Sequence, residues 1–234
     1  MTAVSQFIHN IIRYSNPIKM KLVYFNARGV IESARVMMKI GGIAFEDCRL
    51  NLVPKEGGGW ETPEFTAMKS GGECVANMDR VPILIVDNVV IGQSKSIERF
   101  VAKKSNMLGS TEIEAGQIDC IVEHIRDIKD KYQKVKGLPA AEKEAGLKKW
   151  FATDLGEWLV KLEKSFPSSA PTGYSVGSTV SYADITIWSF LTEYFDNSVT
   201  ASFEGCESLK AIVASVSNIP ALKAYLAERP VTGF

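Results

Sequence analysis

The alternation of apolar and polar residues near the N-terminus predicts a strand, and a change of period then predicts a helix. Strand-forming residues alternate over 21–25, and apolar residues then recur at helical spacing over 30–40. Gly41 and Gly42 end this helix, and a second strand is predicted over 44–50. The first part of the chain therefore has the order strand, helix, strand, which indicates a β-α-β unit.

Further strands and a helix follow after a glycine-rich region. Residues 51–80 have no clean period, which predicts mostly loop with room for one short helix. The next predicted elements are a strand, a two-residue turn, its hairpin partner and a helix, over 81–86, 87–88, 89–91 and 94–104. Together these elements predict one small α/β domain over 20–104.

From residue 112 onward the helical period dominates and strand patterns disappear. The predicted helices cover 112–135, 141–165, 182–195, 207–216 and 219–227. Ser181 and Asp184 have the spacing of a capping box, which predicts a buried helix that begins near Tyr182. We therefore expect an all-helical domain over 105–234, and we interpret residues 1–19, which contain no acidic residue, as an N-terminal extension.

Composition and charge exclude several classes of function. Among the 234 residues, 27 basic side chains balance 27 acidic ones, whereas a nucleic-acid-binding protein usually carries a basic excess. No apolar run approaches the length of a membrane-spanning helix, so no membrane partner is expected. The two histidines, His9 and His124, leave little for a Ser-His-Asp triad or a histidine-rich zinc site, so no metal is expected.

The four cysteines, Cys48, Cys74, Cys120 and Cys206, are widely spaced. No two of them form a C-x-x-C pair, which argues against a zinc ribbon or a dithiol redox site. No secretory signal pattern precedes them, so a cytoplasmic location is expected. We expect four reduced thiols that pack as small, buried, apolar side chains.

Three short segments carry candidate chemistry, although each has a plain structural explanation when it is considered alone. Pro82 begins a strand without an N–H group to donate, which indicates either a cis peptide bond after Val81 or an ordinary strand-start proline. Ser94, after Gln93, is a good N-cap at a helix start that attracts a carboxylate, or it only caps the helix. Tyr24, at the end of the first strand, can donate one hydrogen bond from its phenol, or it packs in the core.

Taken together, these segments resemble the soluble glutathione transferases, and most of all the sigma-type group that uses a tyrosine. The resemblance covers roughly residues 20–234, nearly the whole chain. Its most specific stretches are YFNARG at 24–29, VPIL at 81–84, QSKSI at 93–97, VSYAD at 180–184 and PALKAYLAERP at 220–230. The resemblance implies a thioredoxin-like α/β N-terminal domain followed by an all-α C-terminal domain.

The resemblance also assigns roles to residues of the first domain. Tyr24 corresponds to the tyrosine that hydrogen-bonds the glutathione sulfur. Val81, before the expected cis Pro82, corresponds to the residue whose backbone pairs with the cysteinyl part of the tripeptide. Gln93 and Ser94 correspond to the pair that holds the γ-glutamyl end.

Three further residues have implied roles in binding glutathione. Trp60 and Lys69 correspond to the tryptophan and lysine that contact the glycyl carboxylate, in a loop that is longer here than in the family. Asp127 corresponds to an acidic residue that reaches the γ-glutamyl amine across the interface of a homodimer. The sequence departs from the family at Asp79, where glycine is frequent, and at Val30, where many relatives have arginine.

The implied function is that of a glutathione transferase, which activates glutathione as the thiolate and conjugates it to a small, electrophilic, partly apolar molecule. Glutathione is then a co-substrate, and no metal or other cofactor is implied. Detoxification is the broad expectation. The alternatives are a glutathione-dependent isomerase or peroxidase, and a non-enzymatic structural or interaction module with the same fold.

Overall fold

The computed structural model of the chain describes residues 19–195 and 203–232. The strands are β1 Met20–Phe25, β2 Glu46–Leu50, β3 Val53–Pro54, β4 Trp60–Glu61, β5 Ile83–Val86 and β6 Val89–Gly92. The helices are α1 Glu32–Ile40, α2 Pro63–Ser70, α3 Ser94–Lys104, α4 Glu112–Lys136, α5 Ala140–Lys149, α6 Leu155–Lys164, α7 Tyr182–Thr192, α8 Glu207–Ser217 and α9 Pro220–Glu228. The predicted N-terminal extension lies almost entirely outside the described residues.

Contacts between residues divide the chain into two compact units. The first, which we call the sheet unit, contains the described residues up to Asn26 together with Ala44–Ile97. The second, the helical unit, contains Ala27–Ile43 and the described residues from Glu98 onward. Helix α1 therefore groups with the helical unit by its contacts, although it lies between β1 and β2 in the sequence. The predicted domain boundary between 104 and 105 stays a prediction.

The sheet unit contains a four-stranded mixed sheet in the order β2, β1, β5, β6. Strands β1 and β2 are parallel, whereas β5 is antiparallel to both β1 and β6. Val23, Leu50, Cys74 and Ile83 form a buried apolar core beneath these strands. With α1 connecting the two parallel strands, this N-terminal part of the chain has the predicted thioredoxin-like α/β fold.

The region that was predicted as mostly loop contains two elements. The expected short helix is α2, which Pro63 begins at a position where its missing N–H costs no hydrogen bond. The two-stranded ladder of β3 and β4 was not predicted. Each of its strands has only two residues, which is too short for alternation to be visible in the sequence.

In the helical unit, four of the five predicted helices are confirmed, with their ends shifted by up to three residues. Helix α4 buries the apolar side that its spacing predicted, Ile118, Ile121, Val122, Ile125 and Ile128. The single helix predicted over 141–165 is divided into α5 and α6 by a π-helical turn at Trp150–Asp154. Helix α7 begins at Tyr182 with both hydrogen bonds of the predicted capping box, and its side chains are buried from Tyr182 to Leu191.

The prediction that all four cysteines are buried is wrong for two of them. Cys74 and Cys206 are buried, Cys48 is partly buried, and Cys120 is exposed. Cys120 lies on α4 between the positions that form the buried side of that helix, so the helical period turns it to solvent. No helix in the described part of the chain is long and apolar enough to cross a membrane.

Candidate functional site

The register of the central sheet aligns three of the predicted site residues. In the last paired positions Val23 lies opposite Ile83, and Ile83 lies opposite Gly92. Tyr24, Pro82 and Gln93 are the residues directly beyond these last pairs, so they lie at the same end of the three strands. Because neighbouring strands are about 4.8 Å apart, these three backbone positions form a row across one end of the sheet.

Tyr24 is the penultimate residue of β1 and is partly buried. Its ring is tilted against that of Phe25, with 5.4 Å between the ring centroids. The Phe25 ring in turn meets the Phe65 ring of α2 edge to face, also at 5.4 Å. A series of ring contacts therefore runs from Tyr24 near the end of β1 through Phe25 to Phe65 of α2.

Val81 and Pro82 immediately precede β5, and the peptide bond between them is cis, one of the two alternatives predicted for this position. Val81 is partly buried and packs against the core of the sheet unit. The Pro82 carbonyl oxygen accepts a hydrogen bond from the side chain of Asn77 at 2.9 Å. Asn77 was not predicted, because a polar residue in a loop region carries no signal of burial in the sequence.

Gln93 connects the end of β6 to α3, and Ser94 follows it. The structure begins α3 at Ser94, so the predicted N-cap assignment is wrong by one residue. Gln93 takes the cap position, since its carbonyl oxygen accepts the first helical hydrogen bond from the Ile97 N–H at 3.0 Å. Gln93 has a φ of 64°, in the left-handed region. The N–H groups of the first turn of α3 lack earlier helical carbonyls to bind, which suits a carboxylate ligand.

Trp60 and Lys69 belong to the same unit but lie on other elements. Trp60 is the first residue of β4, and its side chain is 47% exposed. Lys69 is exposed in the last turn of α2, where its ammonium group lies 5.6 Å from the centroid of the Phe65 ring. Phe65 therefore links the surroundings of Lys69 to the aromatic contacts at the end of β1.

Asp127 is exposed on α4 of the helical unit. Asp119, Glu123 and Asp127 follow one another at four-residue steps, which places the three carboxylates in a stripe along one side of this helix. Arg99 binds the first two of them, with 2.6 Å from its Nε to Asp119 and 2.6 Å from its Nη2 to Glu123. Glu123 also pairs with Arg126 at 2.8 Å. Asp127 therefore differs from its two neighbours in the stripe, because they are held by basic side chains of their own chain.

Arg28, in the turn that follows β1, also has an acidic partner. Its Nη1 lies 2.9 Å from Oε2 of Glu193. The same oxygen accepts a hydrogen bond from Nη2 of Arg229 at 2.8 Å. Arg229 also binds Glu32 at 2.9 Å. These ion pairs within the helical unit connect the turn that follows β1 to the end of α9.

A cavity of about 380 Å³ lies elsewhere in the helical unit. Its walls come from the end of α6, the following loop and the start of α8, and they include Phe166, Tyr174 and Glu163. None of the predicted site residues lines it. Within residues 19–195 and 203–232, no three His, Cys, Asp or Glu side chains are grouped as a metal site.

Comparison with known proteins gives consistent results over nearly the whole chain. A family model described as the glutathione S-transferase C-terminal domain matches residues 126–229. A Caenorhabditis elegans protein named glutathione S-transferase 3 is 30% identical over 223 residues, covering 92% of this chain and 98% of the relative.

Solved structures agree with the sequence comparisons. The crystal structure of a glutathione S-transferase from Ascaris lumbricoides is 28% identical, with a TM-score of 0.75, and the match covers 92% of this chain and 100% of that one. A glutathione S-transferase from the hookworm Necator americanus, described as monomeric, is 26% identical with a TM-score of 0.77, at 92% and 100% coverage. With the fold and these relatives in agreement, this chain belongs to the glutathione S-transferase family.

Proposed function

We propose that this chain is a tyrosine-type, sigma-like glutathione transferase. It joins the sulfur of glutathione to a small electrophilic, partly apolar molecule, and Tyr24 is the residue that stabilises the thiolate. The observation that supports this most is the row of Tyr24, Pro82 and Gln93 across one end of the sheet. One extended tripeptide can contact all three positions, because such a row spans only about two inter-strand spacings.

In this proposal the sheet unit binds each part of glutathione with a different segment. The backbone of Val81 pairs with the cysteinyl part, next to Pro82. Gln93 and Ser94 bind the γ-glutamyl carboxylate at the start of α3, where the helix dipole favours negative charge. Trp60 and Lys69 bind the glycyl carboxylate.

The phenol of Tyr24 donates a hydrogen bond to the sulfur. A hydrogen bond that is stronger to the charged sulfur than to the neutral one lowers the pKa of the thiol. Free thiols have a pKa of about 8.5, so such a shift increases the fraction present as thiolate at neutral pH. The thiol proton leaves to solvent, and the thiolate that remains is the nucleophile. Its attack on the electrophile forms a carbon–sulfur bond, and the leaving group, such as the halide of an aryl halide, departs with the electron pair of the bond that breaks. No metal or further cofactor takes part in this proposal.

The proposal includes a homodimer in the cytoplasm. Asp127 of each subunit then reaches the γ-glutamyl amine of glutathione bound by the other subunit. Asp127 is exposed on α4, which leaves it available for such a contact. The related hookworm protein described as monomeric makes the oligomeric state of this chain a point that requires measurement.

The function can be tested by retention on immobilised glutathione followed by turnover of a chromogenic aryl halide. We expect the purified chain to be retained, to elute with free glutathione and to turn over the aryl halide. Gln93→Ala should weaken retention, whereas Asn88→Ala, in the exposed turn between β5 and β6, should leave it unchanged. Retention without turnover of any electrophile would favour a binding module, and absence of both would reject the proposal.

A further inference from the structure

Asn77 joins two backbone segments of the sheet unit through three hydrogen bonds of its side-chain amide. Its Nδ2 donates to the carbonyl oxygens of Arg80 at 3.0 Å and Pro82 at 2.9 Å. Its Oδ1 accepts from the backbone N–H of Gln93 at 2.9 Å. Asn77 is only 4% exposed, so water has little access to replace these partners.

The three bonds require the chemistry of a primary amide. Both N–H hydrogens of the amide find carbonyl acceptors, while its oxygen faces a backbone donor. The reversed amide would direct donors at the Gln93 N–H and its oxygen at two carbonyl oxygens. An aspartate has nearly the same shape, but as a carboxylate it has no hydrogen to donate to Arg80 or Pro82.

The packing around this amide is also close. A Cβ atom added to Gly92 would lie 2.7 Å from both Cβ and Oδ1 of Asn77, nearer than such atoms can approach. Gly92 therefore leaves room for the Asn77 side chain to reach the next residue. That residue, Gln93, is held in a left-handed conformation at a φ of 64°. The bond from its N–H to Asn77 helps to compensate for the cost of this conformation.

We propose that Asn77 is a positioning residue for glutathione. It holds the Val81–Pro82 segment and the Gln93–Ser94 segment at the separation that the cysteinyl and γ-glutamyl parts of one tripeptide require. The inference rests on the proposed function, since it takes both segments as glutathione contacts. Asn77 acts through these residues, because its amide is fully used in bonds to the protein backbone.

The test compares wild type with Asn77→Asp, measuring glutathione affinity by calorimetry and the kinetic constants by aryl-halide turnover. We expect the Kd and the KM for glutathione to rise about tenfold, as expected when hydrogen bonds that hold a site are lost. The turnover number at saturating glutathione should change less than twofold, because none of the described bonds of Asn77 reaches Tyr24. The defect in Kd should diminish as the pH falls, because protonation of the new carboxyl restores one donor.

Two further variants separate positioning from general loss of stability. Leu50→Ala removes apolar packing from the same core without touching the amide bonds, so it should lower the unfolding midpoint and leave the Kd for glutathione within twofold of wild type. The methyl group that Gly92→Ala adds would clash with the Asn77 side chain, so this variant should also raise the Kd for glutathione. If Asn77→Asp does not fold, Gly92→Ala supplies the same comparison.

The outcomes distinguish the inference from the function on which it rests. Wild type that binds glutathione while Asn77→Asp and Gly92→Ala bind it equally well would overturn the positioning role alone. An equal rise in the Kd for glutathione in Leu50→Ala would also overturn the positioning role, because the lower stability of the fold would then explain the weaker binding. Wild type that fails to bind glutathione would reject the proposed function together with the inference.

Discussion

Oδ1 of Asp184 accepts two hydrogen bonds from Ser175, one from its backbone N–H and one from its hydroxyl, both at 2.7 Å. Oδ2 of Asp184 accepts another pair from Ser181 at 2.8 Å. Burial raises the pKa of the Asp184 carboxyl, while these four bonds oppose that shift. Asp184 thus caps α7 and also ties the preceding loop to the start of the helix.

This double role predicts a large effect of Asp184→Ala on stability. Loss of a helix cap alone costs about 1 kcal/mol. This substitution also removes the two hydrogen bonds that Ser175 of the preceding loop donates to the Asp184 carboxylate. We expect the free energy of unfolding to fall by about 2–4 kcal/mol, measured by denaturant titration. Asp130→Ala, at an exposed position of α4, is the control and should change it little. An equal effect of both substitutions would contradict the assignment.

A second prediction concerns the buried carboxylate of Glu32. It accepts hydrogen bonds from Tyr225 at 2.8 Å, from Arg229 at 2.9 Å and from Arg35 at 3.1 Å. The Arg35 side chain is completely buried. Glu32→Gln leaves the Arg35 charge without this carboxylate and should lower the free energy of unfolding by about 3 kcal/mol. Glu207→Gln, whose side chain is 81% exposed, should have almost no effect. Equal unfolding midpoints for the two variants would show that the pair contributes no net stability.

The cysteines should differ in reactivity. Burial raises the pKa of the Cys48, Cys74 and Cys206 thiols, so less of each is present as the reactive thiolate at a given pH. Cys120 is exposed on α4. We expect one thiol per chain to react rapidly with an aromatic disulfide reagent at pH 8. Cys120→Ser should abolish this rapid phase of the reaction. In denaturant all four should react, and rapid labelling of a second thiol in the folded chain would contradict the prediction.

Tyr24→Phe tests the proposed activation of glutathione. The substitution removes only the hydroxyl group, so glutathione should still bind with nearly unchanged affinity. A hydrogen bond to a charged group contributes about 1.5–3 kcal/mol, which corresponds to a loss of turnover of about ten- to a hundredfold. The thiolate absorbance of bound glutathione should titrate at higher pH in the variant. Unchanged turnover and an unchanged titration would assign the activation to another residue.

The shared site of the proposed homodimer can be tested with Asp127→Asn. Because Asp127 is exposed, its pairing with the γ-glutamyl amine is partly screened, and we expect the KM for glutathione to rise only about fivefold. The dimer itself should persist in sedimentation.

Mixing Asp127→Asn chains with Tyr24→Phe chains gives a sharper result. In each mixed dimer one site carries both substitutions and the other carries neither, so activity should recover. A monomer in sedimentation, or no recovery on mixing, would show that each site is built within one chain.

The order of the elements could be predicted from the sequence because it depends on local patterns. Alternation over 21–25, the helical period of α4 and the spacing of Ser181 and Asp184 each reflect bonds and burial within one element or between neighbours in the chain. The glutathione-binding roles expected of Tyr24 and Gln93 come from the resemblance to glutathione transferases, which needs no information on their positions in the fold. Their places on β1 and before α3 follow from the same local patterns.

Tertiary structure decided which distant residues meet. The row of Tyr24, Pro82 and Gln93 exists only because β5 pairs with both β1 and β6, and register across strands is not encoded in any one of them. The burial of Asn77 depends on the absence of a side chain at Gly92, fifteen residues later. Arg99 of α3 likewise forms ion pairs with two carboxylates of α4, those of Asp119 and Glu123, which no local sequence pattern predicts. In each case the deciding contact joins segments far apart in the chain, so its free energy appears only when the fold has brought them together.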